Sequence, residues 1–507
     1  MRRLKNAIIP MLLLAGLIWG LCPSMLAVRT AHADQTDAGT TSSDMEKGDV
    51  PQPAASDDDD TESEPMPLTD ADVAVQTSQV PDDAIASGTA GTCLFYITPD
   101  LQMVVTPSDG TSGVLPEGSK NTDWPWYRYA AYITTIRFDK GVKTGKTLEW
   151  AFSNGSADAN AYNRLESVDF TNLDATSLTS MKGILAYDAT LTSVNLNMLN
   201  ADQIKYLNEA FRATGLATLD LTPIGDKNLW TIDNMCNSCT QLETVRTGWT
   251  LPVLYYAQGT FREDANLTDI DAEGWRFGKA GSLSLMFKGC SSLKSLDVSR
   301  WDTSTVFVLY WTFGSCTGLK TLDVSGWNTS SLQDARGIFS NCTGLETLDV
   351  SGWNTGKTTS FEQTFNNCKN LTALDVSKWD TGKATSMRNM FSGDAKLTVL
   401  DVSKWDTSNV TDMTYLFNQC TGLATLDVSG WNTGKATGMY GMFRLTNLTT
   451  VDVSRWDVSH VGNAAYMFSG CSKLATLDTA DWRLTGLWAA YDMFYGCKKL
   501  TRLDVSR

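Results

Sequence analysis

The sequence predicts an α/β solenoid, a stack of near-identical rungs in which each rung is a short strand, a turn, a short helix and a return. Three observations predict it. The phrase LDVS recurs with its carboxylate at Asp297, Asp323, Asp349, Asp375, Asp401, Asp427, Asp452, Asp478 and Asp504, in steps of 26 residues with one step of 25. Tryptophan keeps the same register at Trp249, Trp275, Trp301, Trp327, Trp353, Trp379, Trp405, Trp431, Trp456 and Trp482. Within one unit the apolar residues follow first a two-residue and then a helical spacing.

The strand comes first. Leu400-Asp401-Val402-Ser403 alternates apolar and polar, which directs Leu400 and Val402 inward and Asp401 and Ser403 outward. Stacked rungs would then share one long parallel sheet. Downstream, Val410, Met413, Leu416, Phe417 and Cys420 recur at helical spacing, and Ser408 or Thr411 is placed to cap the free amides of a short helix. The frame extends backward through Asp271, Arg246, Asp220, Asn195 and Asp169, giving about fourteen rungs over residues 165–507, with a more degenerate one around Ile136-Arg137-Phe138. A rung buries its apolar side only against its neighbours, which is the physical reason for the repetition.

The Trp slot faces the inside of a corner, where a stacked ladder forms; the other use of such a ladder is an exposed platform for sugar rings. Asn or Asp directly after the Trp, as in Trp405-Asp406-Thr407, fixes the turn by side-chain hydrogen bonds.

The spacing Leu-x-x-Leu-x-Val, as in Leu293, Leu296 and Val298, at this period is the signature of a leucine-rich-repeat solenoid. The full unit, LDVSxWDTSxVTDMxxLFxxC, resembles the BspA-like leucine-rich-repeat surface proteins of bacteria, whose 26-residue repeat also occurs in mycoplasma lipoproteins. The stretch before the array (Cys93-Leu-Phe-Tyr-Ile97, Trp124-Pro-Trp-Tyr127 and Ile133-Thr-Thr-Ile136) looks like the amino-terminal β cap of these proteins and spans residues 91–164. The resemblance implies a secreted or wall-associated adhesin that binds extracellular or surface proteins, and it supplies no catalytic residue. Such proteins often continue into further domains and an anchor, whereas this sequence stops at Arg507 within a rung, so a fragment, an unanchored product and an edge paired with another molecule all stay open.

Residues 1–33 read as a secretory signal, with Arg2, Arg3 and Lys5 before an apolar run and Ala31-His32-Ala33 before the cut. No later stretch is apolar enough over sufficient length to span a membrane. Residues 34–90 hold fifteen acidic residues against the single Lys47 and no aromatic residue, the composition of a disordered, self-repelling linker. Most of the net charge of −16 therefore belongs to this segment.

Chemistry is poorly provided for. His460 is the only histidine after signal removal, which argues against a His-dependent hydrolase site or a His-rich zinc site. Eight cysteines, from Cys239 to Cys497, occupy one slot of the repeat, with Asp264 and Asp394 in the same slot elsewhere; this register favours free thiols acting as small apolar residues over a disulfide framework. Cys236-Asn-Ser-Cys239 has redox spacing but stands alone, and Cys236 fills a slot held by Phe287 and Phe417 in other rungs. No phosphate-cradling loop and no basic-aromatic stripe supports nucleotide or nucleic-acid binding. No cofactor is expected, and calcium has no supporting loop motif.

Two sets of residues are candidate contacts for a protein partner, with glycans as the alternative ligand. The first is the outward carboxylate column Asp297, Asp323, Asp349, Asp375, Asp401, Asp427 and Asp452. Its mutual repulsion must be offset by the adjacent serines, by Arg300, Lys378, Lys404 and Arg455, by cations or by a basic partner. The second is the apolar substitution Phe307, Val308 and Tyr310, with Tyr255 and Tyr256 two rungs earlier, at positions expected to face solvent; simple repacking of the less regular early rungs is the competing explanation.

Overall fold

The computed structural model describes residues 78–154, 162–197, 199–501 and 503. The predicted signal, residues 34–77 of the acidic linker and Asp504 lie outside them, whereas residues 86–90, read as linker, form a strand, so the cap begins before residue 91. The chain divides at residues 63 and 64, and the described residues all belong to the second unit.

That unit begins with three antiparallel strands: β1 (Ala86–Ala90), β2 (Cys93–Ile97) and β3 (Gln102–Pro107). Gly91 stands in the tight β1–β2 turn with φ of 66°, and the Cβ it lacks would fall 2.3 Å from the Val114 carbonyl oxygen. After the two-residue β4 (Gly113–Val114), the pairing changes sense. Strand β5 (Thr135–Phe138) lies parallel to β3, and β6 (Val142–Lys143) lies parallel to β4. Then β7 (Ser167–Asp169) and β8 (Ser193–Asn195) extend the first sheet, each paired with its predecessor at the equivalent repeat position. Two 3-10 helices, Asn121–Asp123 and Tyr127–Tyr132, hold Trp124 and Trp126 between them, stacked 5.3 Å apart against this sheet.

The parallel ladder continues in pieces. Strands β9 (Thr218–Asp220), β10 (Thr244–Arg246) and β11 (Asp269–Ile270) form one group, and β12 (Ala373–Leu374) and β13 (Val399–Leu400) another. Single bridges such as Thr321 to Thr347 and Thr450 to Thr476 mark the same register elsewhere. The expected long sheet is thus reduced to short segments, for a local reason. In each LDVS unit the Asp turns the chain at once: Asp349 Oδ1 accepts the Ser351 amide at 3.0 Å and its hydroxyl at 2.7 Å, and seven rungs repeat this geometry. A side chain that bonds its own backbone two residues on ends the extended run.

The expected short helix is not formed, and among the described residues there is no α-helix. The segment with helical apolar spacing is instead a run of alternating turns that makes a second parallel ladder. Amides of Met413, Tyr415, Phe417 and Gln419 donate to the carbonyls of Gly438, Tyr440, Met442 and Arg444 in the next rung, at 2.7 to 2.9 Å. The amides between them, those of Leu416, Asn418 and Cys420, donate back three residues within the rung. Such alternation requires left-handed backbone, and each rung has it twice, four residues apart: Tyr415 and Gln419 (φ 57° and 61°), Trp311 and Ser315 (52° and 63°), Gln363 and Asn367 (58° and 63°). A left-handed residue cannot continue a right-handed helix. Ser408 and Thr411 accordingly cap nothing; the Ser408 amide donates to Asp406, and the Thr411 hydroxyl donates to the Thr385 carbonyl one rung back.

Between the two ladders lies a core built in columns. Val410, Met413, Leu416, Phe417 and Cys420 are all fully buried, and Leu400 and Val402 point inward as their alternation requires. The ten repeat tryptophans are buried, consecutive rings stacking as at Trp327 and Trp353 (6.2 Å, 5°). Each indole also ties two rungs together: Nε1 of Trp327, Trp405 and Trp431 donates to the carbonyls of Val298, Val376 and Val402 at 3.0 to 3.1 Å. Phenylalanines form a parallel file, Phe313, Phe339, Phe365, Phe391 and Phe417 among them, with steps of 5.7 to 6.0 Å.

Candidate binding surface

The solenoid offers two surfaces, one beside each ladder, and among the described residues every cysteine but the half-buried Cys497 is buried between them. The cysteines are free, and those of the repeat slot donate their thiol hydrogens to buried carbonyls. Sγ of Cys290, Cys316, Cys342 and Cys368 lies 3.0 to 3.1 Å from the carbonyl oxygens of Phe261, Phe287, Phe313 and Phe339, one rung back. Burial pushes these thiols up, that of Cys342 to about 12, so they are not thiolates at neutral pH. Cys236 and Cys239 are equally buried, and Cys239 Sγ is committed to the Phe211 carbonyl at 2.9 Å.

Where Asp replaces Cys in that column, the carboxyl takes over only part of the task. Asp264 and Asp394 each accept an amide of the previous rung, from Cys239 at 2.8 Å and Cys368 at 2.7 Å, and each leaves Oδ2 buried with no partner. Burial holds both carboxyls protonated well above the ordinary range. Asp188, fully buried two rungs before Cys239, is raised by the same cause.

On the strand side, Asp297, Asp323, Asp349, Asp375, Asp401, Asp427 and Asp452 are exposed, in single file, each oriented by its own serine. The serine hydroxyl and then its amide hold the carboxyls of Asp297, Asp349, Asp375, Asp401 and Asp452 below the usual range, with smaller help from Arg300, Lys378, Lys404 and Arg455 beside four of them. Asp349 has no such base, because glycine occupies that position in its rung (Gly352), as it does after Asp323 and Asp427 (Gly326 and Gly430). A shallow recess of about 490 Å³ opens in this stretch, bordered by Thr321, Asp323, Glu346, Thr347, Asp349 and Thr372.

Beside the second ladder, the structure brings together the other predicted residues. Tyr256 and Phe307 are exposed, and Tyr255, Val308 and Tyr310 are half-buried. Tyr310 lies under the Arg336 guanidinium at 4.9 Å, and Tyr255 under the Lys279 ammonium at 5.4 Å. Two partners escaped the sequence reading: Trp230, 5.1 Å from Tyr255, and Tyr206, 6.5 Å from Trp230. Their signal was available, since Trp230 and Tyr255 align one rung apart at the step of 25, but Trp230 stands outside the Trp column of the core. The core tryptophans themselves are excluded as a sugar platform by burial.

Comparison with known proteins agrees with the columns. Residues 256–374, 337–444, 359–482 and 396–506 match a family described as Mycoplasma protein of unknown function, DUF285. A search of curated proteins found no match. Among solved structures, a leucine-rich repeat protein from Eubacterium ventriosum ATCC 27560 is 18% identical over 83% of this chain and 98% of its own, with a TM-score of 0.40. One from Bacteroides ovatus ATCC 8483 is 15% identical over 82% and 93%, with a TM-score of 0.37. A leucine rich cell surface protein from Faecalibacterium prausnitzii A2-165 is 11% identical over 67% and 94%, with a TM-score of 0.20. Residues 256–506, with their 26-residue unit and its Leu, Trp, Phe and Cys columns, match the DUF285 repeat, and the array is similar to bacterial leucine-rich repeat proteins.

Proposed function

We propose that the chain is an exported, surface-displayed solenoid that binds a protein partner through its strand side, and that the partner presents clustered lysines or arginines to the carboxylate column. One observation carries this reading: the carboxylates stand in register, held in fixed orientation by their serines, and Asp323 and Asp349 both have glycine in place of the following base, with Glu346 a further acid beside the recess. Neighbouring strands are about 4.8 Å apart, and at such a separation two like charges repel by about 1 kcal/mol in water, less in salt. Repulsion repeated along a column is relieved by a basic partner without any rearrangement, because the carboxylates are already oriented. Electrostatic complementarity of this kind governs encounter and choice of partner more than final affinity. The burial of the described thiols favours binding as the use of this surface.

Binding of the full chain to a panel of extracellular matrix proteins, measured across a salt series, tests the proposal. The expected result is saturable binding that weakens with salt and falls about tenfold when Asp323→Asn, Glu346→Gln and Asp349→Asn are combined. Binding that ignores both salt and the triple substitution rejects the strand side as the contact.

A further inference from the structure

The opposite side carries a different chemistry. Along the second ladder, four of the five rungs from residue 206 to residue 307 present Tyr206, Trp230, Tyr256 and Phe307, which are 36%, 44%, 53% and 42% exposed, while the repeat tryptophans and core phenylalanines are buried. The rings form a file and touch: Tyr206 meets Trp230 at 6.5 Å and 86°, and Trp230 meets Tyr255 at 5.1 Å and 65°. One rung has no aromatic residue at this position, and there the gap is closed from the next rung. A Cβ on Gly281 would lie 2.3 Å from Cε1 of Phe307, so the ring rests directly over the glycine and only glycine admits it. The aromatic residues thus occupy two adjacent positions of the ladder over five rungs, a span of about 20 Å.

Charged residues flank it, and several are held by neighbouring groups. Arg212 bonds Glu209 at 2.8 Å, Arg336 bonds Asp334 at 2.6 Å, and Lys279 sits on the Tyr255 ring. Neutral hydrogen-bonding groups run alongside, with Gln258 exposed and Ser282 sharing a 2.7 Å hydrogen bond with Ser284. A chain whose strand side is acidic therefore has an aromatic strip without an acidic column on its other side.

We propose that this strip is a second binding site, independent of the strand-side contact, for a neutral linear polysaccharide lying along the stack with about one sugar per rung. The rung repeat of about 4.8 Å is close to the advance of one pyranose residue in an extended chain. Sugar rings place their C–H faces on aromatic faces and their hydroxyls on flanking polar groups, and both are present in the right order. An advance this long per sugar belongs to an extended linkage such as β-1,4. Protein hot spots, by contrast, cluster inward from a polar rim rather than extending in single file.

Affinity electrophoresis of the full chain in gels containing hydroxyethyl cellulose, galactomannan or laminarin, with heparin as the charged comparison, tests the assignment. Retardation by at least one neutral β-1,4-linked polymer is expected, reduced about tenfold in apparent affinity by Trp230→Ala with Tyr256→Ala, and left unchanged by Asp323→Asn with Asp349→Asn. Both aromatic substitutions are at exposed rings, and an unchanged melting temperature will verify that the fold is intact. No retardation by any neutral polymer, retardation by heparin alone, or equal retardation of wild type and the aromatic variant overturns the proposal. Loss of protein binding in the aromatic variant, without any glycan effect, overturns it as well and reassigns the strip to a protein.

Discussion

Raising the pH from 4.5 towards neutrality should weaken the fold steeply, and removing one buried carboxyl should flatten the decline by a known amount. Asp188, Asp264 and Asp394 are buried, and burial raises all three. The groups facing Asp394 are the thiols of Cys368 and Cys420, and those facing Asp264 are Cys239, Cys290 and Glu263; none is a cation. Above the unfolded carboxyl's value of about 3.9, the unfolded chain releases these protons while the folded chain retains them. Unfolding is then favoured by about 1.4 kcal/mol per pH unit for each group, until pH reaches the raised folded value. Three distant groups add to about 4 kcal/mol per pH unit. Asp233, raised to about 6 chiefly by burial, adds the same sign up to that pH. The perturbation is Asp394→Asn, which keeps the shape and cannot titrate, together with Asp394→Cys, which restores the thiol column. Urea unfolding followed at half-unit intervals from pH 4.5 to 7.5 should show both variants gaining on wild type by about 1.4 kcal/mol per pH unit from the lowest pH upward. Curves that run parallel over the whole range would show that Asp394 is ionised in the fold and would refute the reasoning.

Three further outcomes follow from the columns. Trp327→Phe keeps a ring in the stack but leaves the Val298 carbonyl without its 3.1 Å donor, and should cost about 1–3 kcal/mol in chemical denaturation, against about 3–5 for Trp327→Ala. Gln419 is left-handed and exposed, and Gln419→Gly should stabilise by about 1 kcal/mol, while Gly393→Ala at the equivalent position (φ 85°) should destabilise by at least as much. At the acid end the sign reverses: the carboxyl of Asp349 is lowered by Ser351, so its stabilisation is present above the unfolded value and lost as pH falls through the folded one, and Ser351→Ala should move the acid transition to higher pH.

Much of this arrangement was legible because columns are written directly in the repeat. The alternation at Leu400 to Ser403 places four side chains correctly, and the shared register of Trp301 to Trp482 places a buried stack. The same spacing misdirects where direction and hydrogen bonding separate. Val410, Met413, Leu416, Phe417 and Cys420 point inward at intervals of three or four whether the backbone is a helix or a chain of alternating turns. What distinguishes the two is the left-handed backbone at residues such as Tyr415, Trp311 and Gln363; glycine marks the same position only in some rungs, as at Gly337 and Gly441, so the signal is interrupted by residues that do not announce it. The conformation is imposed by the neighbouring rung, whose carbonyls take the amides, so a single rung read alone favours the helix. The aromatic strip was half visible: Phe307 and Tyr255 break a regular pattern, whereas Trp230, though one repeat step before Tyr255, and Tyr206 lie in more degenerate rungs where a departure stands out less.

The amide ladders have a mechanical consequence. Their hydrogen bonds run from rung to rung, so a pull along the stack loads them lengthwise, and every junction must release several bonds and a pair of stacked rings together before it gives. Junctions in series yield one at a time, weakest first, and each freed rung of 26 residues lengthens the chain by about 80 to 90 Å while its neighbours keep their shape. A tether of this construction would absorb shear as a succession of discrete, refoldable extensions, with the rungs of Asp264 and Asp394, whose column bonds are incomplete, opening first.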